Sequence, residues 1–203
     1  MTGRGATWWA LVSSALAPVV LIGGWLLAAQ RQPAAYDATR DTISALAARG
    51  ASDRWIMTTG LAVLGACHVV TALGLRAAQL TGRAVLAVGG IAIVVVAAAP
   101  QPEHGSSRVH EVAALIAFVL LSVWAAAASK ADGGGPLAGR AGSVATGILL
   151  ALLLWFGVAT ADDSLVGVSE RALAGAQAIW PLVVVLAVRT SRSAPTPQPD
   201  RGH

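Results

Sequence analysis

The chain has 203 residues, of which 56% are hydrophobic and only 12% charged. Soluble domains carry about 25% charged residues, so this chain lacks the polar surface that a soluble protein of its length needs. A single cysteine excludes an internal disulfide framework. The net charge of +4 does not indicate nucleic-acid binding, because the arginines are scattered beside apolar stretches without a nucleic-acid-binding motif. We expect membrane lipids, and no nucleic acid, as partners.

Six stretches contain no Asp, Glu, Lys or Arg, and they are 17 to 26 residues long. About 20 apolar residues in a helix cross the roughly 30 Å of hydrocarbon in a bilayer. The stretches lack the alternation of barrel strands, and lipid offers an open backbone no hydrogen-bond partners. The sequence therefore predicts an all-α bundle of six transmembrane helices. The predicted spans are 8–30, 55–75, 84–101, 110–129, 141–161 and 172–189.

Charge placement predicts the orientation of this bundle. If residues 1–7 and a disordered tail at 190–203 are cytoplasmic, eight of the 14 basic residues lie on the cytoplasmic side. Eight of the ten acidic residues then lie on the other side, in or beside the connections that follow spans 1, 3 and 5. We therefore expect a multi-pass protein of the cell membrane whose polar residues collect at the extracytoplasmic face.

The first connection, residues 31–54, has the pattern of a folded segment. Asp37 or Thr39 is a suitable cap for a short helix that runs from Asp41 to Ala48 and stops at Gly50. Its apolar residues share one face, which suits a helix lying over the mouth of the bundle. A solvated loop whose arginines bind lipid headgroups is the alternative. The prediction is a short helical extracytoplasmic loop between spans 1 and 2.

Several segments of the chain resemble a known family in their order and spacing. The segments are Trp25 to Pro33, Tyr36-Asp37, Asp41 to Ala47, Asp53 to Met57, Pro100 to Pro102, Gly105 to Arg108 with His110, Glu170-Arg171, and Gln177 to Pro181. Together they resemble the bacterial membrane family called domain of unknown function 998 over roughly residues 8 to 190. The resemblance implies a six-span integral membrane protein, distantly similar to Frag- and DRAM-type proteins, and it implies no particular reaction.

Candidate catalytic and metal-binding residues lie at the predicted outer face. His104, His110 and Asp41 have the side chains of a zinc site, and an open zinc position would activate water to hydrolyse a lipid ester or amide. Asp41, Ser44, His110 and Glu111 are the corresponding catalytic candidates. Their spacing matches no helical zinc motif. The alternative is structural: His104 is an exposed loop residue, and His110 and Glu111 end the fourth span at the headgroup layer.

The remaining polar candidates lie in or beside the predicted spans, where ionisable residues are costly and mark functional sites by default. They are Arg54, His68, Arg108, Glu170, Arg171 and Gln177. Asp41 is a suitable ion-pair partner for Arg54 or Arg108. We expect His68 to be a neutral residue that hydrogen-bonds to another helix, and Gln177 to bond between helices as well.

Three functions remain open from the sequence. A non-enzymatic protein that binds lipid or supports envelope organisation through its outer face is the leading interpretation, and it needs no cofactor. A metal-dependent lipid hydrolase, with zinc, is the first alternative, and a small transporter is the second. Small-residue faces such as Gly89-Gly90 predict close helix packing, and they also suit a homo-oligomer.

Overall fold

The computed structural model describes residues 5–130 and 134–191, and these residues form a helical bundle. Six long helices and two short 3-10 helices account for the described secondary structure, and no strand is formed there. The long helices are α1 (Trp8–Ala29), α2 (Trp55–Gly74), α3 (Leu80–Ala98), α4 (Arg108–Ala128), α5 (Gly139–Ala161) and α6 (Val166–Thr190). Each is long and apolar enough to cross a membrane. The predicted all-α, six-span fold is therefore confirmed.

Four helices begin earlier than the predicted spans, α4 and α5 by two residues each and α3 and α6 by more. Helix α6 begins at Val166 rather than 172, so the expected outer connection of residues 162–171 is much shorter. Helix α3 begins at Leu80 rather than 84, and the Arg83 side chain donates to carbonyl oxygens at the end of α2. A charge-free stretch ends by definition at the first charged residue, whereas the folded chain satisfies these charges: Arg83 with carbonyl oxygens of α2, and Arg171 with carbonyl oxygens of the connection between α1 and α2. Most of the predicted tail, residues 192–203, lies outside the described residues, as do residues 1–4.

The helices form a closed ring in which each packs against its chain neighbours and α6 also packs against α1. We call the end of the bundle that carries residues 30–54, 99–107 and 162–165 the loop face, and the opposite end the terminal face. At the terminal face, the Thr7 amide donates to Gly74 (3.2 Å), and the Gln79 amide donates to Ala128 (3.0 Å). These bonds between connections hold neighbouring helix ends together.

Helices α2 and α3 approach most closely where two glycines face each other. A Cβ built on Gly90 would lie 2.6 Å from the Gly65 carbonyl oxygen and 3.0 Å from the Cβ of His68. Real Cβ atoms do not approach backbone atoms this closely, so the two helices would have to separate to accept a side chain there. The close packing predicted for Gly89-Gly90 is confirmed, and it brings α3 against the turn of α2 that carries His68.

We predict that Gly90→Ala lowers the free energy of unfolding by about 1–3 kcal/mol, the usual cost of overpacking a tight contact. Gly147→Ala in α5 is the matched control, because a Cβ at Gly147 meets no atom within 4 Å. The control should leave stability unchanged or raise it slightly through helix propensity. Reversible unfolding in mixed micelles measures both. Equal stability of the two variants would contradict the close contact.

Candidate functional site

The connection between α1 and α2 folds onto the start of α6. Its short helix, Ser44–Ala47, which we call the loop helix, buries Leu46 and Ala47, and Ile43 immediately before it is also buried, as the sequence pattern predicts. The loop helix is shorter than the predicted 41–48 helix, because the preceding residues form a turn in which the Asp41 amide donates to the Asp37 carbonyl oxygen (2.7 Å). The predicted cap is corrected accordingly: Asp37 accepts from the Thr39 amide (2.9 Å) within that turn.

Arg171 ties the turn at residues 36–41 to α6. Its Nη1 donates to the carbonyl oxygens of Ala38 (2.9 Å), Asp41 (2.8 Å) and Gly167 (2.8 Å). Its Nη2 donates to the Tyr36 hydroxyl. The planar, five-donor guanidinium suits this arrangement, in which several acceptors surround one group. Arg171 therefore acts as a bridge between two segments that are 130 residues apart in the chain.

The first turn of α6 leaves no room between itself and this loop. The Gly167 and Val168 amides, which have no partner within their own helix, both donate to the Thr39 carbonyl oxygen (3.1 and 3.3 Å). A Cβ on Gly167 would overlap the carbonyl oxygens of Ala38 and Asp41. Glycine is required here because the loop backbone lies directly against the helix.

Glu170 contacts the loop from the interior of the bundle. Its side chain is 4% exposed, and its carboxyl group accepts a hydrogen bond from the Ile43 amide at the start of the loop helix. The Thr42 hydroxyl accepts from the Ala45 amide (3.1 Å) in the first turn of the loop helix, and Glu170 supplies a further acceptor at its start. A negative group is also favoured at a helix N-terminus. Glu170 and Arg171 thus hold the loop from two sides.

Two loop residues have shifted pKa values with clear physical causes. Burial raises the pKa of the Tyr36 phenol above its ordinary value, although the Arg171 guanidinium opposes the shift. Tyr36 therefore stays a neutral acceptor for Arg171 at neutral pH. The hydrogen bond from the Thr39 hydroxyl lowers the pKa of Asp37 below its ordinary value. Asp37 is therefore ionised at neutral pH, and it stabilises the turn as a local acceptor.

Beneath the loop helix lies an interior cavity of about 50 Å³. Ile43, Ser44 and Glu170 form its loop-face end, and side chains of α1, α2, α3, α4 and α6 form its walls. Gln177 also lines the cavity, seven residues beyond Glu170 on α6, which places it about 10 Å deeper along the helix axis. The cavity therefore extends from the loop face into the membrane-spanning part of the bundle. Its polar lining residues are Ser44, His68, Glu170 and Gln177.

Gln177 and His68, the two deeper polar residues of the cavity, differ in their hydrogen bonding. The Gln177 amide nitrogen donates to the Phe118 carbonyl oxygen (2.9 Å) and to the Ser122 hydroxyl (3.0 Å) on α4, as predicted for an interhelical bond. His68 is 1% exposed, and neither of its ring nitrogens has a hydrogen-bond partner among the described residues. The expectation that His68 bonds to another helix is therefore wrong. The facing residue on α3 is Gly90, which offers no side chain.

The predicted metal and catalytic residues do not form one cluster. Asp41 accepts from the Asp37 amide (2.7 Å), whereas the buried His110 ring lies 3.0 Å from the Ala99 carbonyl oxygen through Nδ1. His104 and Glu111 are exposed. Over residues 5–130 and 134–191, no three His, Cys, Asp or Glu side chains are placed to hold a metal ion. Of the four catalytic candidates, Ser44 alone lines the cavity.

The expected ion pairs of Asp41 are replaced by other contacts. The Nε of Arg54 donates to the Ala47 carbonyl oxygen (3.4 Å), which links the end of the loop helix to the start of α2. Arg108 is exposed in the first turn of α4 and lies at a groove on the outside of the bundle. Arg54 and Arg171 therefore hold the loop face by donating to backbone carbonyl oxygens rather than by pairing with Asp41.

Two apolar grooves lie on the outer surface of the bundle. One, of about 430 Å³, runs between α3 and α4 and includes Arg108 at the loop face. The other, of about 560 Å³, runs between α5 and α6 and includes Arg140 near the terminal face. Trp180 lines the second groove, and its indole nitrogen has no partner among the described residues. Each groove combines an apolar surface with one cation at its end.

The helices and their apolar outer surfaces define a six-span integral membrane protein. The family model "Protein of unknown function (DUF998)" matches residues 15–187, and the chain therefore belongs to the DUF998 family. This match confirms the resemblance to domain of unknown function 998 that was drawn from the sequence. No curated protein and no solved structure matches the chain.

We predict that Arg171→Lys releases the turn at residues 36–41. A lysine ammonium group cannot reach the three carbonyl oxygens and Tyr36 together, because its three donors radiate from one atom. Amide hydrogen exchange over residues 37–47 should become at least about tenfold faster, as expected for about 1.5 kcal/mol of lost bonding to a charged group. Arg40→Lys, at an exposed site in the same turn, is the control and should leave exchange unchanged. Equal exchange in both variants would contradict the bridging role.

Proposed function

We propose that this DUF998 protein is a non-enzymatic membrane protein that binds anionic phospholipids in its two surface grooves. The observation that carries the proposal is the same in both grooves: a continuous apolar surface between two helices ends at an exposed arginine. The occupant is a phospholipid whose acyl chain lies along the groove and whose phosphate pairs with the arginine.

The chemistry of each groove supports this occupant. Val109, Val112 and Ile116 follow one another at helical spacing below Arg108, and together they present an apolar strip to the membrane. Arginine binds phosphate oxygens through paired N–H donors, and its long side chain reaches the headgroup layer from a helix end.

The placement of the remaining polar residues favours binding over catalysis. The ring of His110, the histidine among the catalytic candidates, bonds to the Ala99 carbonyl oxygen and not to the Ser44 hydroxyl, so it does not activate Ser44 as a nucleophile. The second part of the proposal is that the protein supports envelope organisation, because it holds specific lipids at both faces of the bundle.

We predict that purified protein retains phosphatidylglycerol in native mass spectrometry and that Arg108→Gln together with Arg140→Gln removes most of it. Loss of two charge-assisted phosphate contacts should weaken the retention of phosphatidylglycerol at least about tenfold. The retention of phosphatidylcholine by the same variant is the reference. Arg31→Gln is the control, because Arg31 is exposed at the loop face and lines neither groove. Equal retention of both lipids by wild-type protein, or unchanged retention in the double variant, would refute the proposal.

We also propose that the loop face is extracytoplasmic and that both termini are cytoplasmic, in the cell membrane. The balance of basic residues supports this orientation. In a Cys67→Ala background, His104→Cys should react with a membrane-impermeant maleimide on intact cells, whereas Ser191→Cys should react only after permeabilisation. Both positions are exposed, so accessibility depends on sidedness alone. The reverse pattern would show the opposite orientation.

A further inference from the structure

We propose that the interior cavity is a binding site for a small apolar molecule that dissolves in the membrane, such as a dissolved gas or a short alkane. The site is separate from the lipid grooves, since neither Arg108 nor Arg140 lines the cavity. It therefore gives the bundle a second class of ligand. Three features of the cavity support this class: its position, the chemistry of its surface and its volume.

The cavity lies inside the helical ring, where apolar side chains surround it. Five helices contribute to its walls, for example with Leu21 of α1, Leu64 of α2, Ile93 of α3, Leu121 of α4 and Ala174 of α6. Ile43, which is 3% exposed, covers the loop-face end together with the loop helix. Small apolar molecules dissolve more readily in membrane hydrocarbon than in water. The membrane around the bundle is therefore a reservoir of such ligands.

The surface of the cavity is almost entirely apolar, although polar residues lie at its edge. The Gln177 amide nitrogen donates to two oxygens of α4. The Glu170 carboxyl group accepts from the Ile43 amide. Both ring nitrogens of His68 are buried and do not face the space. A polar ligand would therefore lose its bonds to water and gain few partners, whereas an apolar ligand has no such bonds to replace.

The volume of about 50 Å³ sets the size of the ligand. A water molecule in a cavity needs roughly two to four polar partners, whereas an apolar cavity of about 150 Å³ takes up benzene or xenon. In proportion, the cavity suits a molecule of roughly two to four heavy atoms, or a single xenon atom. Such a ligand gains dispersion contacts with wall atoms that would otherwise have no neighbour on that side.

Xenon provides the test, because it is apolar and polarisable and is detected directly by xenon NMR. In wild-type protein in detergent micelles, saturation-transfer xenon NMR should show a bound signal that is distinct from xenon dissolved in the micelles. Its intensity should saturate with xenon pressure at about one atom per chain, as expected for a cavity of this size. An absent bound signal, or one that rises linearly without saturation, would overturn the proposal.

Two cavity-filling variants locate the bound xenon. Ala117→Leu adds apolar volume from α4, and Ala174→Leu adds it from α6, so each should abolish the bound signal. Either variant is sufficient if the other fails to fold. Ala151→Leu is the matched control, because it makes the same change at an exposed position of α5 that does not line the cavity. This control should bind xenon like the wild type.

A bound signal that persists in a folded cavity-filling variant would place xenon elsewhere and overturn the proposal, as would loss of the signal in Ala151→Leu. A cavity that retains water in preference to xenon gives no bound signal, which is also a refuting result. The lipid-retention experiment changes only Arg108, Arg140 and Arg31, none of which lines the cavity. Failure of one proposal is therefore distinguishable from failure of the other.

Discussion

The loop-face structure depends on the hydrogen bonds that Glu170 and Arg171 make near the start of α6, a largely apolar helix. A charged or polar group that leaves water without a partner destabilises the folded state by several kcal/mol. Here the guanidinium is surrounded by backbone carbonyl oxygens of the loop and of α6, and the carboxyl group accepts from the loop helix. Because both partners are on the same loop, satisfying the pair also fixes that loop over the bundle.

This arrangement determines where the cavity lies. The loop helix is positioned by Glu170, and its residues Ile43 and Ser44 close the loop-face end of the cavity. At the other side, the glycine contact between α2 and α3 leaves no side chain on α3 that can pair with His68. The cavity and its unpartnered imidazole are therefore consequences of two close backbone approaches, one at Gly167 and one at Gly90.

The sequence predicted the helices well because burial in lipid is governed by local composition. A stretch without charges and of sufficient length is a helix wherever it lies in the chain, and all six were found this way. The apolar face of the loop helix was predicted for the same reason. The start of α6 was missed, because the partners of Glu170 and Arg171 are about 130 residues away and no local pattern reveals them.

The candidate site was predictable only as a set of residues at one face. Acidic residues and histidines do collect there, but their partners are set by backbone geometry: Asp41 bonds within its own turn, and His110 bonds to the end of α3. The spacing of His104 and His110 matches no metal-binding motif, and in the structure His104 is exposed whereas His110 is buried. His68 and Glu170 were individually suspected, whereas their position around one cavity requires the closure of the ring by α6 against α1.

The position of the proposed lipid grooves follows from where a charge can be tolerated in a bilayer. Arginines at helix ends reach the headgroup layer, where lipid phosphates are available and water moderates their burial. A carboxyl group inside the bundle has neither lipid phosphate nor bulk water beside it, so Glu170 is satisfied by the protein itself, through the Ile43 amide and the neighbouring Arg171. The same membrane physics therefore favours anion binding on the outside of the bundle, whereas the buried carboxyl group is used to hold the loop.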